Sequence, residues 1–295
     1  MAKRTKKRAI RKLKDINVKR QRLFTLVCVI LTIAILTFSQ WQPPVPDGEI
    51  FVHFIDVGQG DSILIQSAEH AVLIDGGPSA ATQNVVNYLN YLGIRTLDFV
   101  VATHPHSDHI GGLPGVLDRF EVREMWMPDT IHTTVTFERL LDAIERNGLE
   151  ITTVQAGDVL SAGDIQMTAL APNSSGHSNL NNYSIVLRMQ FGQTAFIFTG
   201  DSEALSEREM LASGRNLRAN VLEVGHHGSR TSTTDAFLDA VNPEAVVISV
   251  GAGNRFGHPH PYVLARFYER GIPVFRTDEM GTIVMITDGR EVFLK

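Results

Sequence analysis

The chain has 295 residues, 43% hydrophobic and 20% charged, a globular composition that excludes a disordered or fibrous protein and allows one large domain or two small ones. Its single cysteine excludes an internal disulfide scaffold. The net charge of −5 conceals a segregation: residues 1–22 carry eleven Lys/Arg against one acid, Asp15, and leave a remainder of 16 basic and 31 acidic residues.

Seventeen uncharged residues, 23–39, follow the basic tail directly. A helix of that length covers about 25 Å, close to the thickness of a hydrocarbon core. Gln40 and Trp41 extend it, with an aromatic suited to the membrane interface. Basic residues stay on the cytoplasmic side. The expected organisation is therefore a cytoplasmic tail 1–22, a single transmembrane anchor 23–41, a stiff Pro-rich linker 42–49, and a catalytic domain 50–295 outside the cell. A cleaved signal peptide is the rival reading, but the run exceeds a usual apolar signal segment and lacks a small-x-small site at its end.

Beyond the linker, short apolar runs predict strands over 50–56, 62–66 and 71–75, a helix over 80–92 and a strand over 98–103. Further helices are expected over 137–146 and 203–213, and strands over 183–189, 194–199, 221–224 and 245–250. Early hairpins mixed with strand–helix units predict a mixed α/β body with one core.

The densest chemistry follows the strand 98–103, in His104-Pro-His106-Ser-Asp108-His109 and then Ile110-Gly-Gly112. A loop at the end of a strand can turn several ligands to one point. His104 and His106, two apart, can share one metal, and Asp108 and His109 can serve a second. A binuclear site also needs a bridging carboxylate. Asp201, closing Phe196-Ile-Phe-Thr-Gly-Asp201, is the candidate, although alone it reads as a helix cap. His226 and His227 also end a strand; adjacent side chains point apart, so one is expected to bind metal and the other to meet substrate, with His226 taken as the ligand and His227 as the catalytic group and the reverse left open. Asp75, in an Asp-Gly-Gly turn, is a candidate to hold the second nitrogen of a ligand histidine, with Asp108 as the other catalytic carboxylate. Gln59 and Asp61, between glycines, are expected to line the mouth. His258 and His260, with Asn254 and Arg255 on the same late loop, are expected to grip a phosphate, and Ser229, Arg230 and Thr231 to offer further donors. Two divalent ions, Zn²⁺ or Mn²⁺, suit this donor set and would clamp both oxygens of an in-line phosphoryl displacement.

Asp75, the HxHxDH run at 104–109, Asp201 and His226/His227 together resemble the metallo-β-lactamase fold, a four-layer αββα sandwich with two metals at one edge. A narrower resemblance is carried by Val57-Gly-Gln-Gly-Asp61-Ser, Asn181-Asn-Tyr-Ser-Ile-Val-Leu187, Thr199-Gly-Asp201, Gly225-His-His-Gly-Ser229 and Asn254-Arg-Phe-Gly-His258-Pro-His. These are similar to the hydrolase domain of ComEC-type competence proteins, which internalise DNA. The resemblance implies a metal-dependent phosphodiesterase or nuclease acting on DNA, partnered by a separate uptake channel, since one span makes no channel. It departs at one place: the fold usually carries another histidine ligand where this chain reads Leu180-Asn181-Asn182. The first metal is then expected to have two histidines, Asp201 and water, with Asn182 on the substrate side. The acidic body lacks the cationic footprint of a nonspecific nucleic-acid binder. That leaves a small phosphodiester, choline-phosphate ester or lactone as the alternative substrate, and a non-catalytic surface DNA- or partner-binding protein as the alternative class.

Overall fold

The computed structural model describes residues 21–22, 24–29 and 44–295. Residues 21–22 and 24–29 are helical, and Thr25 Oγ1 donates to the Gln21 carbonyl at 3.0 Å. Most of the expected anchor 23–41 and the whole of 1–20 lie outside the described residues. Among those described, no helix is long and apolar enough to cross a membrane. A separate compact unit begins at Pro44, within the expected linker, and Val45 is already buried.

That unit is built on two sheets. The first contains β1 (Ile50–Phe54), β2 (Ile63–Gln66), β3 (Ala71–Ile74), β4 (Thr96–Val101), β5 (Glu121–Pro128) and β6 (Ile151–Val154), closed at the other edge by β14 (Ile283–Thr287) and β15 (Val292–Leu294). The second contains β7 (Val159–Ala162), β8 (Ile165–Ala171), β9 (Val186–Phe191), β10 (Thr194–Phe198), β11 (Val221–Glu223), β12 (Ala245–Ile248) and β13 (Val274–Arg276). Alternation along each strand decides which core a side chain enters. Ile63, Ile65, Val72 and Ile74 enter the core between the sheets, where they meet Leu187, Met189, Phe196 and Phe198. Phe54 and Phe198 pack there with ring centroids 6.3 Å apart, a contact worth about 0.5–1.5 kcal/mol beyond area burial.

The neighbours of those residues face outward under helices. Leu64 and Leu73 meet Val85 and Leu89 of the helix Thr82–Tyr91, Leu113 and Val116 of Leu113–Leu117, and Leu140 of Val135–Arg146. Ala195, Ile197 and Leu222 meet Met210 of Ala204–Ala212, Phe237 of Asp235–Val241 and Phe267 of Pro261–Glu269. Helices thus cover the outer face of each sheet, giving the mixed α/β layering expected from the sequence. The strands β5 to β8 and β13 to β15 were not expected. β9 starts at Val186 rather than 183, because Leu180–Tyr183 forms a tight 3-10 turn.

Topology gathers the site at one edge. β3 and β4 run parallel in the first sheet, and β10, β11 and β12 run parallel in the second. The segments leaving their carboxyl ends carry Asp75, His104, Asp201, His226 and Ser249. A direct bond, Ile185 N to the Thr103 carbonyl at 2.9 Å, ties the sheets there. The glycines of the 76–77 and 111–112 turns let two backbones cross: Gly112 N donates to the Gly77 carbonyl at 2.9 Å, and a Cβ on Gly112 would overlap the Gly76 carbonyl. Gly112→Ala should therefore destabilise the body by about 1–3 kcal/mol, read as a lower urea midpoint with an unchanged m-value.

Candidate metal centre

Asp201 sits at the meeting point. It is buried at the end of β10, behind Gly200, whose φ of +50° turns the chain sharply. Asp201 N donates to Ser184 Oγ at 3.2 Å, fixing the carboxylate between the sheets. Four imidazoles face its two oxygens. His104 Nε2 and His226 Nε2 each lie 3.5 Å from Oδ2. His109 Nε2 lies 3.2 Å from Oδ1 and His227 Nε2 3.5 Å from the same atom. His106 Nδ1 joins the first group, 3.0 Å from His104 Nε2. Asp108, half-buried at the opening, joins the second, its Oδ2 3.5 Å from His227 Nε2.

Four of the five rings, His106 apart, are aimed by a partner on the outward nitrogen, which leaves the inward nitrogen available as a ligand. Asp75 does this for His109, its Oδ2 lying 2.8 Å from Nδ1. The same carboxylate accepts from Thr103 N at 2.8 Å and Thr103 Oγ1 at 2.7 Å, so it anchors the start of the HxHxDH loop as well. Asp75 holds a φ of +57°, a conformation that costs energy for a non-glycine residue and is kept where the surroundings demand it. His227 Nδ1 donates to the Ser249 carbonyl at 2.9 Å and lies 3.2 Å from Asp61 Oδ1. His104 Nδ1 faces Thr103 Oγ1 at 3.2 Å and Ser184 Oγ at 3.3 Å.

His226 and His227 both adopt left-handed backbone, with φ of +51° and +55°. Two consecutive residues of this kind bring both rings to Asp201, one to each oxygen, although their adjacency suggested that they point apart. Among the described residues, the groups close enough to share an ion are His104–His106–Asp201 and Asp108–His109–His227, with Asp61 grouped beside His109, His227, Asp75 and Asp201. His226 stands just outside them, its Nδ1 3.2 Å from Glu203 Oε1.

Several residues expected on the substrate side are occupied within the protein. Asp61 is buried, between His227 and His109 Nδ1 at 3.5 Å, because Gly60 lets the loop pass against the Asp108 carbonyl, where a Cβ would not fit. Asn182 is buried and its Oδ1 accepts from Ser206 N at 3.2 Å. Gln59 Oε1 accepts from Gly251 N at 3.2 Å. Asn254 braces its own loop, accepting from Phe256 N and His258 N at 3.1 Å each. His260 caps the helix Pro261–Glu269 by accepting from Tyr262 N at 3.2 Å. Ser229 is buried against Thr231 Oγ1 at 2.9 Å, whereas Arg230 is exposed beside it. His258 is half-buried with its ring 5.5 Å from that of His226.

Glu203 was missed as a functional residue. Besides His226, it accepts from Asn181 Nδ2 at 3.1 Å, Thr231 Oγ1 at 3.0 Å and Asn179 Nδ2 at 3.0 Å. Its place two residues after Asp201 was the available signal, obscured because 203 reads as the first residue of the expected helix 203–213; it stands instead at the N-cap of the helix Ala204–Ala212. It makes no capping bond.

The donor chemistry fits divalent cations. His109 Nε2, His227 Nε2 and Asp201 Oδ1 are buried and find no hydrogen-bond partner among the described residues, although they converge. Burial opposes charge on His109 and His227, yet the surrounding carboxylates, Asp201 and Asp61 foremost, push both pKa values well above the ordinary histidine range. Burial likewise disfavours the Asp201 carboxylate, but His109 and His227 hold its pKa well below the usual range. Burial and the neighbouring His104 push His106 down to about 4, leaving it a neutral ligand.

Residues 55–252 match the metallo-beta-lactamase superfamily. The chain belongs to that superfamily. ComE operon protein 3 of Bacillus subtilis is 35% identical over 250 residues, covering 79% of this chain and 32% of that protein. Competence protein ComA of Neisseria gonorrhoeae is 34% identical over 251 residues, 83% of this chain and 34% of that protein. This chain thus spans about a third of the length of the curated relatives it matches first. Exodeoxyribonuclease YycJ of Bacillus anthracis is 25% identical over 189 residues, 57% of this chain and 68% of that protein. Among solved structures, the metallo-beta-lactamase fold protein YhfI from Bacillus subtilis superposes with a TM-score of 0.56 at 13% identity, covering 81% of this chain and all of that one. Both the superfamily and the narrower likeness to competence proteins agree with the motifs quoted above.

Metal uptake should be proton-coupled. His109 and His227, with raised pKa values, carry protons at neutral pH, and a divalent ion must displace them. Affinity for Mn²⁺ or Zn²⁺ should rise at least about tenfold from pH 6 to pH 8. Calorimetric titration in buffers of different ionisation enthalpy should record net proton release; proton-neutral binding would contradict the assignment.

Proposed function

We propose that this superfamily hydrolase is a phosphodiesterase with two divalent ions, acting on DNA. One ion would be held by His104, His106 and Asp201 Oδ2, and the other by Asp108, His109, His227 and Asp201 Oδ1. The observation that carries this reading is the sharing of one buried carboxylate between two sets of imidazoles, the requirement for bridging a pair of cations. His226 faces the Asp201 oxygen on the first side, held by Glu203, and is the candidate to replace the histidine missing at 180–182.

A pair of divalent ions held there would supply Lewis-acid charge to phosphoryl oxygens and would make an attacking water more acidic. The chain's own residues do the rest. Asp75, Ser249 and Glu203 orient the rings. Asp108, at the opening, would accept a hydrogen bond from an incoming nucleophile and orient it. Arg230, exposed beside the buried Ser229, would meet a non-bridging phosphate oxygen. Support for DNA comes from relatives whose names refer to competence and to an exodeoxyribonuclease. The segregated charge of the sequence supports an anchored protein with its tail in the cytoplasm and this domain outside, working beside a separate channel.

The acidic body favours a second reading, a small phosphodiester from the cell envelope, because it lacks the broad positive surface of nonspecific DNA binders. The full chain loaded with Mn²⁺ or Zn²⁺ should cleave DNA as well as a chromogenic phosphodiester; cleavage of the small ester alone selects the second reading. Wild-type protein should retain two metal equivalents per chain. Asp201→Ala should retain fewer than two and lose at least about a hundredfold in turnover. Two equivalents and full turnover in that variant would overturn the two-ion reading.

A further inference from the structure

The loop between β12 and the helix Pro261–Glu269 carries an aromatic face that the metal centre does not use. The loop is braced from within, Asn254 Nδ2 donating to the carbonyls of Gly251 at 3.0 Å and His258 at 2.5 Å. It is also docked against the centre: His260 N donates to the Gly228 carbonyl at 2.8 Å. At its tip, Phe256 is 53% exposed. Its ring stacks against His258 with centroids 5.8 Å apart and planes inclined by 27°, and the Arg255 guanidinium lies over the ring, 5.0 Å from its centre. Since His258 is one ring step from His226, a row of rings leads from Asp201 to solvent.

Exposing a phenylalanine contributes nothing to folding, and the loop is already held by Asn254. What the row offers is a phenyl ring with a guanidinium plane lying over it, a surface on which a base can stack, beside the proposed reaction centre. A nucleobase with its attached phosphate has the complementary chemistry: a π-face to stack and an anion for the guanidinium. Stacking of this kind needs no extended basic surface. Duplex DNA keeps its bases stacked on one another and cannot present such a face without unpairing.

We propose that Phe256, flanked by His258 and Arg255, is a stacking platform for one unpaired base next to the scissile phosphodiester, so that the chain selects single-stranded over duplex nucleic acid. This rests on the phosphodiesterase reading and adds its substrate class.

The test uses the Mn²⁺-loaded full chain with a labelled single-stranded oligonucleotide, its duplex, and the same strand carrying an abasic residue beside the cleavage position. Phe256→Ala should raise KM for the intact strand roughly tenfold, within the five- to 150-fold span expected for one lost stacked base, with kcat little changed. Phe256→Trp should keep the wild-type KM. The abasic strand should be as poor for wild-type enzyme as the intact strand is for Phe256→Ala, and no poorer for the variant. An unchanged KM in Phe256→Ala, or equal losses on intact and abasic strands, would overturn the platform. If a small phosphodiester is hydrolysed but the single strand is neither cleaved nor bound by fluorescence anisotropy, the platform falls and the phosphodiesterase stands. If no phosphodiester is hydrolysed while Phe256→Ala still weakens anisotropy binding, the platform stands and the phosphodiesterase falls.

Discussion

The buried carboxylate of Asp201 is the constraint on which the rest of the body depends. An unpaired charge at that depth would be severely penalised, and imidazoles from both sheets offset it: His104 and His109 from the loop after β4, His226 and His227 from the turn after β11. The carboxylate can serve two sets of nitrogens because its two oxygens face opposite ways. Everything behind it keeps that geometry, from the Asp75–His109 contact to the crossing of the 76–77 and 111–112 turns.

Much of this was legible where chemistry was contiguous. His104 to His109 read as a ligand loop because four candidate donors fall within one turn of chain after an apolar strand, and the structure places all four at the centre. Strands such as β1 to β4 and β10 to β12 announced themselves through branched and aromatic runs. β5 was harder, because its first half is exposed and polar and only Met125 to Pro128 is buried. The short strands β13 and β15 at the edges carry too few residues for a pattern.

The inward turns of single polar residues were not legible. Asp61 looks like a mouth residue between glycines, yet Gly60 allows the close approach that buries it beneath the histidines. His226 and His227 look like a pair that must diverge, and only consecutive positive φ angles bring both to one carboxylate. Asn254 and His260 have the composition of a phosphate grip but satisfy backbone groups of their own loop and helix. Backbone conformation decides each of these cases, and side-chain identity does not encode it.

The two sheets meet at this edge through ligands drawn from each, with the Ile185–Thr103 bond as their direct tie. Any cation that settles among those groups would rivet one half of the sandwich to the other, and its binding free energy would add to the cost of prising them apart. Ion supply would then govern the protein's lifetime as well as its rate: a molecule stripped of its ions would open more often and meet proteases sooner.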